Sequence, residues 1–403
     1  MATKYPRGSE WRKWDLHFHT QSSHDYDNKS ITNTDIIDTL KRNNIAVVAI
    51  TDHHIIDIDR IKDLKRLAGD EITILPGIEI LSDARGKEPL HFIGIFPEDC
   101  NIEYIWAQLE NKTNLCRIKG EHKKHNEIYC DLLKTVALIH ELGGIVSIHA
   151  GTKSNGIEKI SNRLPHIMAQ KEDIAKCVDV FELGKPEDQE DYRNIVFPSI
   201  KRVLPMVLCS DNHNITDYTL KQNCWVKADP TFNGLLQILY EPEDRVRIQE
   251  VNPNLDFEKS PFTNIRISNK THIFEDKTDN TFFTNQDIPL NSNLISIIGG
   301  RGTGKSVLID YIATAFNKSD SKHYDISPNL VVSRQKSLTE ESISHTLSDR
   351  PNVPFMYISQ SQIKDLVADK IRFTQNIRET IGVTDEYTLS LIHISEPTRL
   401  QLI

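Results

Sequence analysis

The sequence contains no long hydrophobic run, no closely spaced cysteine pair and no excess of positive charge. No apolar stretch approaches the roughly 20 residues of a membrane-spanning helix, and the amino-terminal residues lack the apolar core of a signal peptide. We therefore predict a cytoplasmic protein without a membrane partner. The six cysteines are scattered, which argues against disulfides and against a zinc knuckle. The formal net charge of −9 argues against nonspecific coating of nucleic acid.

The rest of the composition is that of an ordinary globular protein. With 403 residues, 38% of them hydrophobic and 26% charged, the chain is long enough for two domains and a sizeable core. Function must therefore be inferred from particular residues and their spacing.

The stretch Asp15-Leu-His-Phe-His-Thr20 holds the first functional signal. His17 and His19 close an apolar run that predicts an initial β-strand. Because residues i and i+2 of a strand point to the same face, both imidazoles can offer a nitrogen to one metal ion. The pair therefore marks a candidate metal site.

Later strands end in the same way. Strands alternate with helices, which indicates parallel βα units and an α/β barrel. In such barrels the active site lies at the carboxyl ends of the strands. Residues with metal-binding side chains stand at five of these ends: His17, His19, His53, Glu79, His149, Asp211 and His213.

Other histidines do not follow this rule. His91 lies at the start of its apolar run, so by itself it reads as a core or edge residue. His122, His125 and His140 have no strand end beside them and are predicted to lie on the surface.

These motifs resemble those of the PHP (polymerase and histidinol phosphatase) domain. The residues that carry the resemblance, over about residues 10–225, are DLHFHT, ITDHH, PGIE, the histidine at 91, SIHAG and CSDNH. The resemblance implies a distorted β/α barrel with two or three metal ions. It implies a role in catalysis for Glu79, which would bridge two ions, and for His53 and Asp211. The implied ligands are His17, His19, His53, Glu79, His91, His149, Asp211, His213 and one residue of the loop after the first strand, for which both His24 and Asp25 fit and His24 is slightly favoured.

The ligand chemistry indicates phosphoester hydrolysis. Imidazoles and carboxylates without thiolates suit Zn²⁺, Mn²⁺ or Fe²⁺. Such ions polarise a phosphoryl oxygen and activate water. The loop at residues 150–156, with Lys153, is a candidate contact for the substrate phosphate; a plain surface turn is the alternative.

A second motif follows a polar linker that ends near residue 261. Alternation over about residues 263–288 predicts antiparallel strands, and residues 294–298 predict a buried strand. The segment from Gly299 to Ser306 then fits G-x-x-x-x-G-K-S ahead of an apolar helix. Gly299 and Gly304 would let backbone N–H groups face ATP phosphates, while Lys305 would reach the β- and γ-phosphates and Ser306 would hold Mg²⁺.

The second half resembles ABC- and SMC-type ATPases, in which Gln360 would occupy the Q-loop. Together the two halves resemble the TrlF-like proteins, which fuse a PHP domain to an AAA-like or SMC-like ATPase. The resemblance implies an ATPase-mediated dimer in the full-length protein. The domains predicted are residues 1–225 (PHP), 226–262 (helix and linker), 263–388 (amino-terminal part of the ATPase) and 389–403 (a non-native tail).

The predicted ATPase lobe is incomplete. No Walker B or signature motif follows Gln360, and residues 389–399 resemble the translation of a sequencing-library adapter. We therefore expect a truncated chain that does not hydrolyse ATP.

Three functions compete at this point. The first is a metal-dependent phosphoesterase acting on DNA or RNA, with an ATP-driven switch. The second is a small-molecule phosphatase of the histidinol-phosphate type. The third is a non-catalytic regulator in which metals only stabilise the barrel and ATP controls partner binding.

Overall fold

The computed structural model describes most of the first two thirds of the chain and parts of the remainder. The described residues are 5, 7–82, 89–159, 172–255, 261–268, 274, 283–319, 324, 330–335, 341–346, 355–359, 371 and 374. Gln360 and the predicted tail at 389–403 lie outside them. Contacts divide the chain into two units, Met1–Asp256 and Phe257–Ile403. Within the described ranges, no helix is long and apolar enough to cross a membrane.

The first unit is built on one nine-stranded mixed sheet. Its order is β7-β6-β5-β4-β3-β2-β1-β8-β9. The strands are β1 (Glu10–Phe18), β2 (Ile45–Ile50), β3 (Thr73–Leu81), β4 (His91–Ile95), β5 (Ile145–Ala150), β6 (Val180–Leu183), β7 (Met206–Val207), β8 (Cys224–Ala228) and β9 (Val246–Ile248).

Helices connect most of these strands, as the alternating pattern predicted. The α-helices of the first unit are Asn33–Arg42, Ile58–Ala68, Ile102–Lys112, Cys116–Gly120, Leu132–Glu141, Asp188–Asp191, Phe197–Ile200, Phe232–Ile238 and Pro242–Arg245, with helical residues also at 172–177. The first begins at a capping box, in which the Thr32 hydroxyl accepts from Asp35 N and the Asp35 carboxylate accepts from Thr32 N.

The sheet curls until its two ends meet. Beyond β7, the Asp211 N–H donates to His17 O at 3.0 Å, and the His19 N–H donates to Asn212 O at 3.2 Å. These bonds join the segment after β7 to the carboxyl end of β1, while β8 pairs antiparallel with the amino-terminal half of β1. The fold is therefore a mixed α/β fold with a nearly closed, barrel-like sheet.

One strand runs against the predicted parallel direction. β4 pairs antiparallel with both β3 and β5. Its amino end therefore lies at the same edge of the sheet as the carboxyl ends of its neighbours. This explains why His91, although it starts its strand, lies opposite Leu81 at the end of β3.

Two apolar layers hold the barrel. The inner layer draws alternate residues from successive strands, including Val47, Leu75, Ile93 and Val180. The intervening residues face outward and pack against the helices, as Val48 does beside Ile61. The same period of two that fills both layers fixes which side chains point inward at the carboxyl edge.

The second unit contains a four-stranded antiparallel sheet. Its order is β11-β10-β12-β13, with β10 (Phe262–Ile267), β11 (Gln286–Pro289), β12 (Leu330–Gln335) and β13 (Ser342–Thr346). The antiparallel strands predicted for residues 263–288 are confirmed by β10 and β11. The helix Lys305–Ala315 follows the glycine-rich segment and packs through Tyr311 against this sheet.

The buried strand predicted for residues 294–298 is wrong. The segment forms no strand, and its Leu294 and Ile298 are 88% and 91% exposed. No described strand pairs with it, and an extended segment without ladder partners has neither hydrogen bonds nor a covering layer to stabilise it.

Candidate metal centre

The carboxylate of Glu79 lies at the centre of the predicted ligands. Its Oε2 lies 3.0 Å from His17 Nε2, 3.1 Å from His19 Nε2 and 3.4 Å from His53 Nε2. Its Oε1 instead faces His91 Nδ1 at 2.5 Å and His149 Nε2 at 3.5 Å. The two oxygens of one buried carboxylate thus address two different sets of imidazoles.

Four groups of side chains bring their donor atoms within 4.8 Å of one another. The first donor group joins β1, β3 and the segment after β7, and its members are His17, His19, Glu79 and Asp211. The other groups are His19, His53 and His213; His53, Glu79 and His91; and His17, His149 and Glu182. The structure therefore brings together the seven strand-end residues that the sequence selected, and also His91.

Local backbone features aim these side chains inward. The pairing of β1 with β2 shifts register between Asp15 and Phe18. Trp14 and Leu16 belong to the inner layer whereas Phe18 belongs to the outer one. The resulting irregularity turns both His17 and His19 inward. Asp211 has a φ of +51°, a left-handed conformation that aspartate tolerates.

Hydrogen bonds behind the centre set the tautomers of three histidines. His17 Nδ1 donates to Glu182 Oε2 at 2.8 Å, His149 Nδ1 to Ser154 O at 2.9 Å and His213 Nδ1 to Asp211 O at 2.9 Å. When neutral, each ring therefore presents an Nε2 lone pair to the centre. Such outer partners are typical of metal-binding histidines.

This donor set fits divalent cations. The Nε2 atoms of His17, His149 and His213 each lie within 3.5 Å of a carboxylate oxygen. A proton or a metal cation between the two atoms makes such a contact favourable. Within the described chain, His19 Nδ1 and His53 Nδ1 are buried without hydrogen-bond partners. The Nε2 atoms of both rings face the carboxylate of Glu79. Imidazole and carboxylate donors without thiolate suit Zn²⁺, Mn²⁺ or Fe²⁺.

The pKa shifts in the centre show which of its groups are charged. Burial raises the pKa of Glu79, but the charges of His17 and His53 outweigh it and hold this pKa well below its usual range. Burial lowers the pKa of His149 to about 4 despite the nearby Glu182 and Glu79. Burial lowers the pKa of His17 and His19, but the surrounding carboxylates outweigh it and raise the first well above its usual value and the second to about 9. Metal binding at these two rings must therefore displace protons.

The loop after β1 supplies Asp25 more directly than His24. Asp25 Oδ2 lies 3.2 Å from both His53 Nε2 and His213 Nε2. The ring of His24 instead stacks on His125, with centroids 5.4 Å apart, and only meets His53 edge-on at 5.3 Å. Between the two alternatives that the sequence left open, the geometry favours Asp25.

The predicted surface position of His125 is wrong. Its Nδ1 lies 3.2 Å from the carbonyl oxygen of His53, and its ring also stacks on His54. His125 therefore belongs to the rim of the centre. No sequence pattern marks this position, because His125 lies in a 3₁₀ turn, His125–Glu127, rather than at a strand end.

The loop at residues 150–156 is not an open phosphate cradle. The Thr152 N–H donates to the Asp188 carboxylate at 2.9 Å, and the Gly151 N–H to Tyr192 Oη at 3.3 Å. The Lys153 N–H donates to Ala150 O at 3.1 Å. Because these amides already have partners, they cannot receive a substrate phosphate without rearrangement.

Sequence analysis missed Glu182, which is 1% exposed and touches His17. It is the last residue but one of β6, so the strand-end rule could have found it. The Lys153 ammonium lies 2.6 Å from Glu182 Oε1 and 3.1 Å from Asp211 Oδ2.

The glycine-rich segment of the second unit lies apart from these groups in sequence. Gly302 and Gly304 have φ values of +82° and +87°, a region that favours glycine. Lys305 Nζ lies 2.7 Å from Gly299 O and 2.6 Å from Gly300 O, and Ser306 is exposed in the first turn of the helix.

No protein-family model matches the sequence, and no curated protein matches it. Solved structures do resemble the chain. A proposed metal-dependent phosphoesterase from Bifidobacterium adolescentis has 16% identity and a TM-score of 0.39, covering 57% of this chain and 96% of its own. A two-domain protein from Bacteroides vulgatus, described as containing a predicted PHP-like metal-dependent phosphoesterase, has 17% identity and a TM-score of 0.37, covering 70% and 84%.

The lesion-specific endonuclease PfuEndoQ from Pyrococcus furiosus is also similar, with 14% identity and a TM-score of 0.43 over 96% of this chain and 88% of its own. These three similar structures are thus described as a metal-dependent phosphoesterase, a protein containing a PHP-like phosphoesterase and an endonuclease.

Proposed function

We propose that this chain is a divalent-metal-dependent phosphoesterase. The observation that carries the proposal is the placement of Glu79, whose two oxygens face separate histidines at 2.5–3.5 Å. A carboxylate in that position can hold two neighbouring ions. Paired ions of this kind supply a polarised phosphoryl oxygen, an activated water and a stabilised leaving group.

The chain's own residues give the centre an open and a closed side. His17, His19 and Glu79 are completely or almost completely buried and exclude water from behind. Asp211, His213 and Asp25 retain 27%, 27% and 37% of their side-chain exposure. A phosphoester would therefore approach past these three residues.

We propose nucleic acid as the substrate class, because the sequence joins the metal-binding motifs to a segment that resembles SMC-type ATPases, which commonly handle DNA or RNA. A substrate panel tests both the activity and this choice. The metal-free full chain is supplied in turn with Mn²⁺, Zn²⁺ and Fe²⁺ and incubated with end-labelled DNA and RNA and with small phosphomonoesters. Cleavage of internal phosphodiesters that Asp211→Asn abolishes is the expected result.

Hydrolysis of monoesters alone would replace the nuclease assignment with the phosphatase alternative. A folded, metal-loaded chain that releases no product from any substrate would overturn the proposal and favour the non-catalytic regulator.

We propose a second function, ATP binding with Mg²⁺, for the segment from Gly299 to Ser306. Its support is the helix that begins at Lys305 directly after two glycines with positive φ. The exposed Ser306 is available for Mg²⁺. Coupling of ATP to phosphoester hydrolysis, a role for Gln360 and an ATP-dependent dimer are further parts of this proposal. Size-exclusion chromatography with and without ATP tests the dimer.

A further inference from the structure

Lys153 and Glu182 lie against the candidate metal centre but outside the ligands that the sequence predicted, although Glu182 also offers an oxygen to the group of His17 and His149. Lys153 is 8% exposed and Glu182 1% exposed. The Lys153 ammonium has two carboxylates within 3.1 Å, Glu182 at 2.6 Å and Asp211 at 3.1 Å. A lysine buried in this way is unusual unless its charge is balanced, as it is here.

Together the two side chains bridge two members of the first donor group. Glu182 uses Oε2 to accept from His17 Nδ1 at 2.8 Å and Oε1 to meet Lys153. Lys153 in turn meets Oδ2 of Asp211. The result is an unbroken series of polar contacts from His17 through Glu182 and Lys153 to Asp211.

This bridge leaves the inward-facing atoms of both ligands available. His17 keeps its Nε2, and Asp211 keeps its Oδ1, which lies 3.3 Å from that Nε2 and 3.4 Å from His19 Nε2. If Glu182 were absent, the His17 ring could take the other tautomer and direct its proton at the centre. If Lys153 were absent, Glu182 would be a buried carboxylate without its cation.

We propose that Lys153 and Glu182 are a positioning pair that selectively strengthens ion binding at the first donor group. The inference rests on the proposed metal centre. It assigns Lys153 an outer role in metal binding rather than contact with the substrate phosphate. It also predicts different effects on the first donor group and on the group of His53, Glu79 and His91, although both contain Glu79. In the described contacts, neither Lys153 nor Glu182 directly touches the second of these groups.

The experiment is a Co²⁺ titration of the metal-free full chain, followed by visible absorption. The wild-type protein is compared with Lys153→Met and with Glu182→Gln, which keeps the size of the side chain. We expect one class of sites to weaken by about 10–100-fold, the usual cost of losing an outer partner. The remaining class should keep the wild-type affinity.

Three further variants sharpen the result. In the double variant Lys153→Met/Glu182→Gln, the loss should be smaller than the product of the two single losses, because the residues act through one bridge. Lys176→Met removes an exposed lysine that pairs with Glu172 and should leave the titration unchanged. Lys153→Arg keeps the positive charge of the side chain. Circular dichroism checks the fold of every variant.

The outcomes separate this inference from the proposed function. A folded Lys153→Met protein and a folded Glu182→Gln protein that both bind Co²⁺ like the wild type would overturn the positioning role. In that case a raised KM for the substrate would return Lys153 to phosphate contact. Equal weakening of all ion sites would also overturn the inference, since it claims selectivity. A wild-type chain that binds no Co²⁺ would instead overturn the metal centre itself.

Discussion

Glu79 Oε2 lies 3.0 Å from His17 Nε2, and neither side chain is more than 1% exposed. The Nδ1–H of His17 is already donated to Glu182, so in the neutral ring the facing Nε2 atom carries a lone pair. A buried lone pair and a buried anion at this separation require a positive charge between them. Protons on the histidines supply that charge in the absence of metal, and divalent ions bound between these groups would replace them.

Metal removal should therefore destabilise the first unit. Any ligand that binds only the folded state stabilises it by mass action, by about 2.7 kcal/mol at a free concentration 100-fold above its Kd. We expect exhaustive chelation to lower the melting temperature of the chain and added Zn²⁺ or Mn²⁺ to restore it. Differential scanning calorimetry measures both changes. A melting temperature that is identical with and without metal would contradict this expectation.

Asp25, rather than His24, should act as the ligand in the loop after β1. Asp25 Oδ2 lies 3.2 Å from both His53 Nε2 and His213 Nε2. We expect Asp25→Asn to lower metal content or affinity, because the amide is a weaker ligand of nearly the same size. His24→Asn is the matched control and should bind metal like the wild type. Elemental analysis of both variants decides, and the reverse pattern would assign the site to His24.

The sequence predicts the ligands of the centre better than it predicts the residues that hydrogen-bond to those ligands. Alternation along a strand and the position of strand ends are local properties, which is why His17, His53 and Asp211 could be selected. The supporting contacts join residues far apart in the chain. Glu182 reaches His17 across 165 positions, and no periodicity encodes that pairing.

Strand direction was the main gap in the predicted fold. An apolar run gives no information about whether it pairs parallel or antiparallel. Only the antiparallel pairing of β4, which the sequence does not reveal, places His91 beside the strand-end residues. The exposed segment at 294–298 shows the same limit, since apolar residues predict a buried strand only where partners cover them.

Gly77 should be intolerant of a side chain. A Cβ at this position would lie 2.9 Å from Gly94 O and 2.9 Å from Thr51 Cγ2. The contact with backbone of β4 cannot relax without moving the strand that carries Glu79. We expect Gly77→Ala to lower the free energy of unfolding by ~1–3 kcal/mol.

Chemical denaturation followed by circular dichroism measures this loss. Gly120→Ala is the control, because nothing lies within 4 Å of its added Cβ. Its effect should stay within about 0.5 kcal/mol. Equal stability of the two variants would show that β3 and β4 can separate at no cost.

Lys305 should dominate any affinity for ATP in the second unit. Its ammonium lies beside the carbonyl oxygens of Gly299 and Gly300, at the end of the glycine-rich segment. Charge-assisted hydrogen bonds contribute ~1.5–3 kcal/mol, so Lys305→Ala should weaken binding of a fluorescent ATP analogue about 10-fold or more. Lys176→Ala should leave it unchanged. Equal affinity of wild type and Lys305→Ala would argue against the nucleotide site.

Metal content tests the central claim most directly. The full chain is incubated in turn with Zn²⁺, Mn²⁺ and Fe²⁺, freed of excess metal and analysed by elemental analysis beside Glu79→Gln. Glu103→Gln, which alters an exposed carboxylate paired with Lys62, is the control. We predict two or three equivalents of metal in the wild type and in the control, and a clear reduction in Glu79→Gln. A folded wild-type chain with almost no metal, or a Glu79→Gln chain with the full amount, would contradict the account.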